Sequence, residues 1–463
     1  MGSDKQMNFF YLNKNIENSE LRQFTGLHQF SELSIQKTSL FKMIQSNLNN
    51  EFTFQAINTI DEISEAKKEI IIWSSNIIYK NAYLQTLFCK KLISSYFGLF
   101  FGSKASFIFK GQIDELKPFL NSEKEISTQK RIIKLDADDN LITINTLWDL
   151  KKIALYKPHS RYFNDLTVNQ NTVIKESTNK DKIIKEFSFL DSLPQEIQKY
   201  YVAVSNLEVE EKKAQYTMEK INGIDMSMQY INKGFSIDSM QNIFDELEAY
   251  FKLISKFKGS SSESLYDFII SKNAARFAEL ESWDGFNQLN LFISNHTIFS
   301  GIKNLFDESN TILRKSKSLL NSSEGLISHG DLCFGNILIN EQECKLVFID
   351  PRGSEINNNF RIPYYDLAKL CHSLLGGYDH IINNVAEIQF DESMQASILF
   401  NQNLMEYEKL FTLFVDNLGL NYSLVRKIEI SLFLSMLPLH IESTKKVNML
   451  ALRGSELILA AKK

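Results

Sequence analysis

Two neighbouring stretches in the last third of this chain constrain it most. The first is Ile327-Ser328-His329-Gly330-Asp331-Leu332-Cys333-Phe334-Gly335-Asn336-Ile337-Leu338-Ile339. After a polar turn at Asn340–Glu343 comes the second, Lys345-Leu346-Val347-Phe348-Ile349-Asp350-Pro351-Arg352-Gly353. Two apolar runs around a short polar turn predict a β-hairpin. A hairpin sets the start of its first strand opposite the end of its second, so Asn336 and Asp350 face each other. Asp331 precedes Asn336 by five positions, on a loop after a strand, where a carboxylate can point into a cleft.

Those residue types match the needs of phosphoryl transfer. Metal ions must neutralise the charge that develops on the phosphoryl group, a cation must hold the other phosphates, and a carboxylate must take the proton of the attacking hydroxyl. An amide oxygen from Asn336 and a carboxylate from Asp350 are hard donors suited to Mg²⁺. Asp331 is then the carboxylate left for the hydroxyl.

The rest of the chain sets limits. Its 463 residues allow two or three domains and a large core without disulfides. A net charge of −5 argues against a nucleic-acid partner. Cys89, Cys333, Cys344 and Cys371 form no C-x-x-C pair, so they read as reduced thiols of a cytoplasmic protein. Met1–Asn13 has no apolar leader core. No apolar run nears the ~20 residues a membrane span requires, so no membrane insertion is expected.

Along the chain, Glu69–Trp73, Ala105–Phe109 and Leu141–Ile144 read as strands. Leu84–Leu92 and Thr146–Lys152 read as helices, and Leu135–Asn140 as a polar turn. The alternation predicts an α/β domain over residues 1–155. A change in character near Lys157–Ser160 precedes strands at Phe163–Val168 and Thr172–Ile174, joined by Asn169–Asn171. A helix over Lys180–Leu190 and strands near Val202–Val204 and Gln215–Met218 follow. Further on, Ile237, Met240, Phe244, Leu247, Phe251 and Ile254 step by three and four along one helix face.

H-G-D-L-C-F-G-N followed by I-D-P-R-G resembles the H-x-D-x-x-x-x-N and D-x-x-G signatures of the aminoglycoside phosphotransferase and choline kinase-like family, which shares the protein-kinase fold. The resemblance implies an α+β protein-kinase-like bilobal domain, with an N-lobe over 156–225 and a C-lobe over 226–463, preceded by the α/β domain. It makes Asp331 the catalytic base, gives Asn336 and Asp350 to Mg²⁺, and has His329 hold the catalytic loop. Lys175, ending a strand, resembles the family's phosphate-binding lysine, and Glu186 on the next helix its partner. Tyr216–Gly223 resembles the hinge, where main-chain groups around Met218 and Glu219 would bind the adenine of ATP. Asp366 resembles an acidic residue that braces the catalytic loop.

No glycine-rich loop stands at His159–Asn164, which leaves Ser160 and Arg161 as candidates to cover the phosphates. Arg352 is a candidate for phosphate, substrate or a nearby acid. Trp283, Tyr364, Tyr365, His372 and His440 are candidate pocket residues. The expected activity is ATP-dependent transfer to a hydroxyl of a sugar, polyol or amino alcohol, for use in surface polysaccharide synthesis. A kinase-fold scaffold without catalysis is the rival. Leu141–Leu150 resembles the closing part of sugar-phosphate nucleotidyltransferase domains, which gives a third reading, a bifunctional enzyme. A homodimer stays open.

Overall fold

The computed structural model describes residues 7–18, 22, 29–30, 34–35, 38–39, 52–64, 69–79, 88, 92, 98–103, 105–120, 132–134, 141–145, 149, 164–169, 171–221, 224–232, 234–261, 263–340, 345–352, 360–383, 385–400 and 404–462. Outside them lie most of the expected helices at 84–92 and 146–152, and the turn at 135–140. So do Ser160 and Arg161, residues 222–223 of the hinge, the hairpin turn at 341–343, Gly353, Cys89 and Cys344. Cys333 and Cys371 are free thiols. Among the described residues no helix is long and apolar enough to cross a membrane.

The chain divides into two compact units, 1–159 and 160–463. The first holds a six-stranded mixed sheet of β1 (Met7–Leu12), β2 (Phe52–Ile57), β3 (Glu69–Ser74), β4 (Gly98–Gly102), β5 (Phe107–Gln112) and β6 (Ile132–Lys134), in the order β2-β1-β3-β5-β4-β6. β1 is parallel to both β2 and β3, whereas β5 is antiparallel to β3 and β4. β3 is buried from Ile70 to Ser74, as a continuous apolar run in a central strand requires. Phe10, Ile72, Phe100 and Phe109 share a core with Ile113 and Leu116 of α1 (Ile113–Leu120). Leu141–Thr143 pairs with Ile77–Tyr79 in a separate ribbon.

The second unit opens with an antiparallel sheet of β7 (Asn164–Val168), β8 (Thr172–Ser177), β9 (Val204–Val209) and β10 (Ala214–Glu219), in the order β7-β8-β10-β9. β8 runs to Ser177, past the expected end at Ile174, so Lys175 is inside the strand, opposite Tyr216 of β10. Val173, Lys175 and Ser177 are buried on one face of β8; Ala214, Tyr216 and Met218 are buried in β10. α2 (Lys180–Asp191) packs on this sheet. Asn179 caps it by accepting from the Lys182 N–H, and Ile183, Glu186 and Leu190 form its buried stripe.

Helices dominate thereafter. α3 (Met226–Asn232), α4 (Ile237–Ile254), α5 (Leu265–Glu281), α6 (Phe286–His296) and α7 (Ile302–Arg314) precede the expected hairpin, formed by β12 (Ile337–Asn340) and β13 (Lys345–Phe348). β11 (Glu324–Ile327) leads into the Asp331 loop and is flanked by Lys258–Ser260 and Phe360–Arg361. α8 (Tyr364–Leu374), α9 (Tyr378–Ile382), α10 (Leu404–Asn417), α11 (Tyr422–Met436) and α12 (Thr444–Lys462) complete the chain. Residues from α5, α6, α7, α11 and α12 share one core that includes Leu289, Leu305, Phe433 and Leu450.

The four-stranded sheet is tied to the hairpin through main chain. Phe348 N–H donates to Tyr200 O at 2.7 Å and Val202 N–H donates to Phe348 O at 3.2 Å. Ile224–Asp225 also pairs with β12.

On α4 the apolar stripe holds from Met240 to Ile254, joined by buried Ile243 and Tyr250. Ile237 departs from it and is 38% exposed, because it is the first helical residue, before the turn that meets the core. Leu247→Ala should therefore lower stability by about 2–5 kcal/mol and Ile237→Ala by less than about 1 kcal/mol in urea unfolding followed by near-UV circular dichroism.

Candidate active site

Lys175 is 1% exposed and Glu186 is fully buried. An unpaired charge at such depth costs several kcal/mol, and the fold answers with pairing on both sides. Lys175 Nζ donates to Glu186 Oε1 and, at 2.5 Å, to Asp350 Oδ1. Tyr216 Oη donates to the same Glu186 oxygen at 2.7 Å. One ion cluster thus joins β8, α2, β10 and the end of the hairpin. Burial works against the Lys175 ammonium, but the two carboxylates hold it above its ordinary value. Burial, and then the Asp350 charge, raise Glu186. Burial also works to raise Asp350, yet Lys175 holds it below the usual carboxylate range.

The loop after β11 is built around a second carboxylate, Asp366 on α8. Asp366 Oδ2 accepts from Ser328 Oγ and the His329 N–H, both at 2.9 Å, and Oδ1 accepts from the Gly330 N–H at 2.8 Å. Gly330 takes φ +75° there, a left-handed turn open to glycine at little cost. Burial raises the Asp366 carboxyl to about 6 against the pull of these three donors.

His329 is fully buried beside Tyr201, their rings 5.9 Å apart at 18°. Its Nε2 contacts Ile349 O at 3.0 Å, while Nδ1 accepts the Asp331 N–H at 3.2 Å. That pattern places the imidazole proton on Nε2. Burial pushes the ring down to about 4. His329 is thus a neutral clamp between the two stretches of the sequence signature, which Arg352 N–H closes by donating to His329 O at 2.8 Å.

Asp331 itself is 8% exposed. Lys369 Nζ of α8 lies 2.8 Å from Oδ1, and Arg352 Nε lies 3.4 Å from Oδ2. Of the roles open to Arg352, the structure pairs it with this acid. Burial alone would lower the Lys369 ammonium, but Asp331 keeps it above its ordinary value.

Asn336 donates from Nδ2 to Asp331 O at 2.7 Å, and its N–H donates to Cys333 O at 2.9 Å. Its Oδ1 is left as a lone-pair donor. Asp350 commits one oxygen to Lys175 and adopts φ +56°, a backbone state unusual outside glycine and frequent at working sites. An amide oxygen and a second carboxylate oxygen without a hydrogen-bond partner among the described residues, at the open end of one hairpin, fit Mg²⁺, which takes oxygen donors and keeps phosphates and waters as its remaining ligands.

The structure thus brings Asp331, His329, Asn336, Asp350, Lys175 and Glu186 into two linked clusters. Met218 and Glu219 end β10. The Glu219 N–H donates to Ala203 O at 2.9 Å and the Lys220 N–H to Asn171 O at 3.0 Å. These two N–H groups are thus already paired within the protein.

The candidate pocket residues need correction. Trp283 packs against the helical core, and Tyr364 Oη accepts the Asn421 N–H. His440 is 6% exposed, with its Nε2 3.3 Å from Tyr378 Oη. Tyr365 and His372 are buried but next to the charged groups of the site.

Sequence reading missed Lys369, Lys272, Tyr216, Ser373 and Asp379. Ser373 Oγ accepts the Phe334 N–H at 3.1 Å and donates to buried Asp379, which also accepts from Ser227 Oγ at 2.6 Å. These residues come from other helices and, for Tyr216, from strand β10, so no spacing around Asp331 could reveal them. A faint signal existed for Lys369 alone, three positions after Asp366 and on the same helix side.

No protein-family model matches the chain, and no curated protein matches it. Solved structures do. An aminoglycoside phosphotransferase APH(3'')-Id from Streptomyces rimosus, in complex with ADP and streptomycin, is 14% identical, with 58% of this chain and 86% of that chain covered and a TM-score of 0.34. A thermostable mutant of aminoglycoside phosphotransferase APH(4)-Ia, in ternary complex with ADP and hygromycin B, is 9% identical over 64% and 93% at a TM-score of 0.40. An aminoglycoside-3'-phosphotransferase of type VIII is 12% identical over 58% and 92% at 0.32. At those scores the likenesses carry no residue-level correspondence, and the role of each side chain follows from its own distances and burial.

An unfolded histidine is protonated below about 6.5, whereas folded His329 resists until about 4. Its contribution to stability is complete above pH 6.5 and is lost as pH falls toward 4, at about 1.4 kcal/mol per pH unit. Asp366, with its folded carboxyl raised to about 6, takes up its proton early and opposes that loss below pH 6. In urea unfolding between pH 6.5 and 4.5, His329→Gln should lose less stability than the wild type. An equal loss would show that His329 is protonated in the fold.

Proposed function

We propose that residues 160–463 form an ATP-dependent phosphotransferase that moves the γ-phosphoryl group to a hydroxyl of a small molecule, with Asp331 as the base. The observation that carries this reading is the convergence of the Lys175–Glu186–Asp350 cluster with the Asp331–Asn336 loop at one end of the hairpin. Structural salt bridges alone do not call for a second buried carboxylate five residues before a free amide oxygen.

In the proposed reaction the acceptor hydroxyl hydrogen-bonds to Asp331. A bond forms between the acceptor oxygen and the γ-phosphorus as the bond from that phosphorus to the ADP oxygen breaks. The hydroxyl proton passes to Asp331 and then to solvent, so the products are a phosphate ester, ADP and a proton. Lys369, 2.8 Å away, fixes the position of Asp331, which a general base needs before the proton arrives. Lys175, oriented by Glu186, is the cation for the ATP phosphates. Mg²⁺, when bound through Asn336 and Asp350, supplies the charge neutralisation that phosphoryl transfer depends on. His329 and Asp366 touch no reacting atom in this scheme; they shape the loop.

Asp331→Asn should lower kcat about 10²- to 10⁴-fold in an ADP-release assay, with Mg²⁺-ATP binding retained in a thermal-shift measurement. Unchanged turnover would remove Asp331 from the mechanism. Chelation of divalent cations should abolish turnover, and Asn336→Ala should raise the Mg²⁺ concentration needed for half-maximal rate by about 10-fold or more, read from a Mg²⁺ titration.

A further inference from the structure

The charges around Asp331 say something about the acceptor, given the phosphotransferase reading. Two cations meet this carboxylate, and a third lies beside them. Lys369 lies at 2.8 Å on α8 and Arg352 at 3.4 Å after β13. Lys272 of α5 donates to Tyr365 Oη at 2.9 Å and feels both other cations. Among the described residues, Asp331 is the carboxylate within 4 Å of Lys369 and of Arg352.

Lys272 is not within 4 Å of any carboxylate among the described residues, and its hydrogen bond goes to a neutral phenol. Burial, with Lys369 and Arg352, pushes its ammonium below the ordinary lysine value, while Tyr365 is pulled below the ordinary phenol value by Lys272 and Lys369 despite its burial. The Arg352 side chain is 47% exposed and meets Asp331 through Nε; its two fork nitrogens have no hydrogen bond among the described residues. A guanidinium fork presented this way matches a carboxylate or phosphate.

A second, independent observation lies one helical turn beyond Lys369. His372 is 1% exposed, and neither ring nitrogen has a partner among the described residues. Its ring packs on Tyr378 and Phe433 at 4.3 and 4.2 Å. A buried imidazole with both nitrogens unpaired is costly and marks a place where a polar group is missing. It stands beside Lys369 and Lys272, which act on its charge together with Asp331 and His440.

We infer that the acceptor is itself an anion, a hydroxyl compound carrying a carboxylate or phosphate near the reacting oxygen, held by Arg352 and Lys272. A hydroxyl at Asp331 brings the rest of such a molecule against an excess of positive charge. An amino alcohol or polyamine meets repulsion in that position and has only Asp331 to counter it. The amino-alcohol class among the expected acceptors is therefore disfavoured.

The test is ADP release by the full-length protein with Mg²⁺-ATP, across four acceptor sets: sugar phosphates, hydroxy and sugar acids, neutral sugars and polyols, and amino alcohols with aminoglycosides. Asp331→Asn and Lys272→Gln run alongside, and their Mg²⁺-ATP thermal shifts check that each folds. Turnover is expected in one of the two anionic sets, and which set responds separates phosphate from carboxylate. Lys272→Gln should raise acceptor KM about 10- to 100-fold, the loss expected of one hydrogen bond to a charged group, with ATP KM unchanged and Lys272→Arg restoring most of it. Turnover confined to neutral or cationic acceptors overturns this inference and leaves the phosphotransferase standing. A Lys272→Gln effect on ATP KM alone also overturns it, by assigning the charge to the nucleotide. No turnover beyond Asp331→Asn in any set sinks the phosphotransferase reading, and this inference with it.

Discussion

The second unit of this protein depends on one buried cation. Lys175 occupies a strand interior with 1% exposure, a place where an ammonium is tolerated only when opposite charges come to it. Glu186 arrives from α2 and Asp350 from the end of the hairpin, 175 positions away in sequence. Tyr216, directly across the sheet from Lys175, donates to the same Glu186 oxygen as Lys175 does, and the other Glu186 oxygen is buried without a partner among the described residues. Removing any of the three charges leaves the others buried without balance. The cluster therefore couples the four-stranded sheet to the hairpin energetically, and the main-chain link between Tyr200, Val202 and Phe348 does so sterically.

Asp366 plays the matching part on the other side of the loop. It gathers three donors from Ser328, His329 and Gly330, so the turn before Asp331 has its polar groups satisfied within the protein. Neutral His329 spans from Ile349 O to the Asp331 N–H. The loop is held by groups that have already found their partners, while Asn336 and Asp350 each keep an oxygen available and the Asp331 carboxylate is held by side-chain cations. Such a division between satisfied scaffold and available donors is what preorganised charge stabilisation requires.

Legibility in the sequence followed the range of each interaction. The hairpin at 337–348 could be read because strand periodicity is local. So could the helix at 180–190, whereas Lys175 and Glu186 were legible through the resemblance of the motifs to a known family. Ile237 misled because periodicity shows which residues share a face but not where the partner surface begins. The pairing of the Glu219 N–H could not be read because the Ala203 carbonyl that takes it belongs to a neighbouring stretch with no mark in residues 216–223. Lys272 and Lys369 were invisible as site residues: a lysine on a helix looks solvated until tertiary packing places it, and theirs puts Lys369 on Asp331 and Lys272 on Tyr365.

The sequence by itself determined the local chemistry of this protein: a hairpin with Asn336 and Asp350 at its open end, and a loop carrying Asp331. Those follow from residue type and short-range spacing, which steric backbone preferences and side-chain periodicity convert directly into structure. Only the tertiary structure decided which charges meet. It brought Asp350 to Lys175, Asp366 under the Asp331 loop, Lys369 and Arg352 to one carboxylate, and Lys272 to Tyr365. Coulomb energy depends on distance and burial in space, and neither is written along the chain.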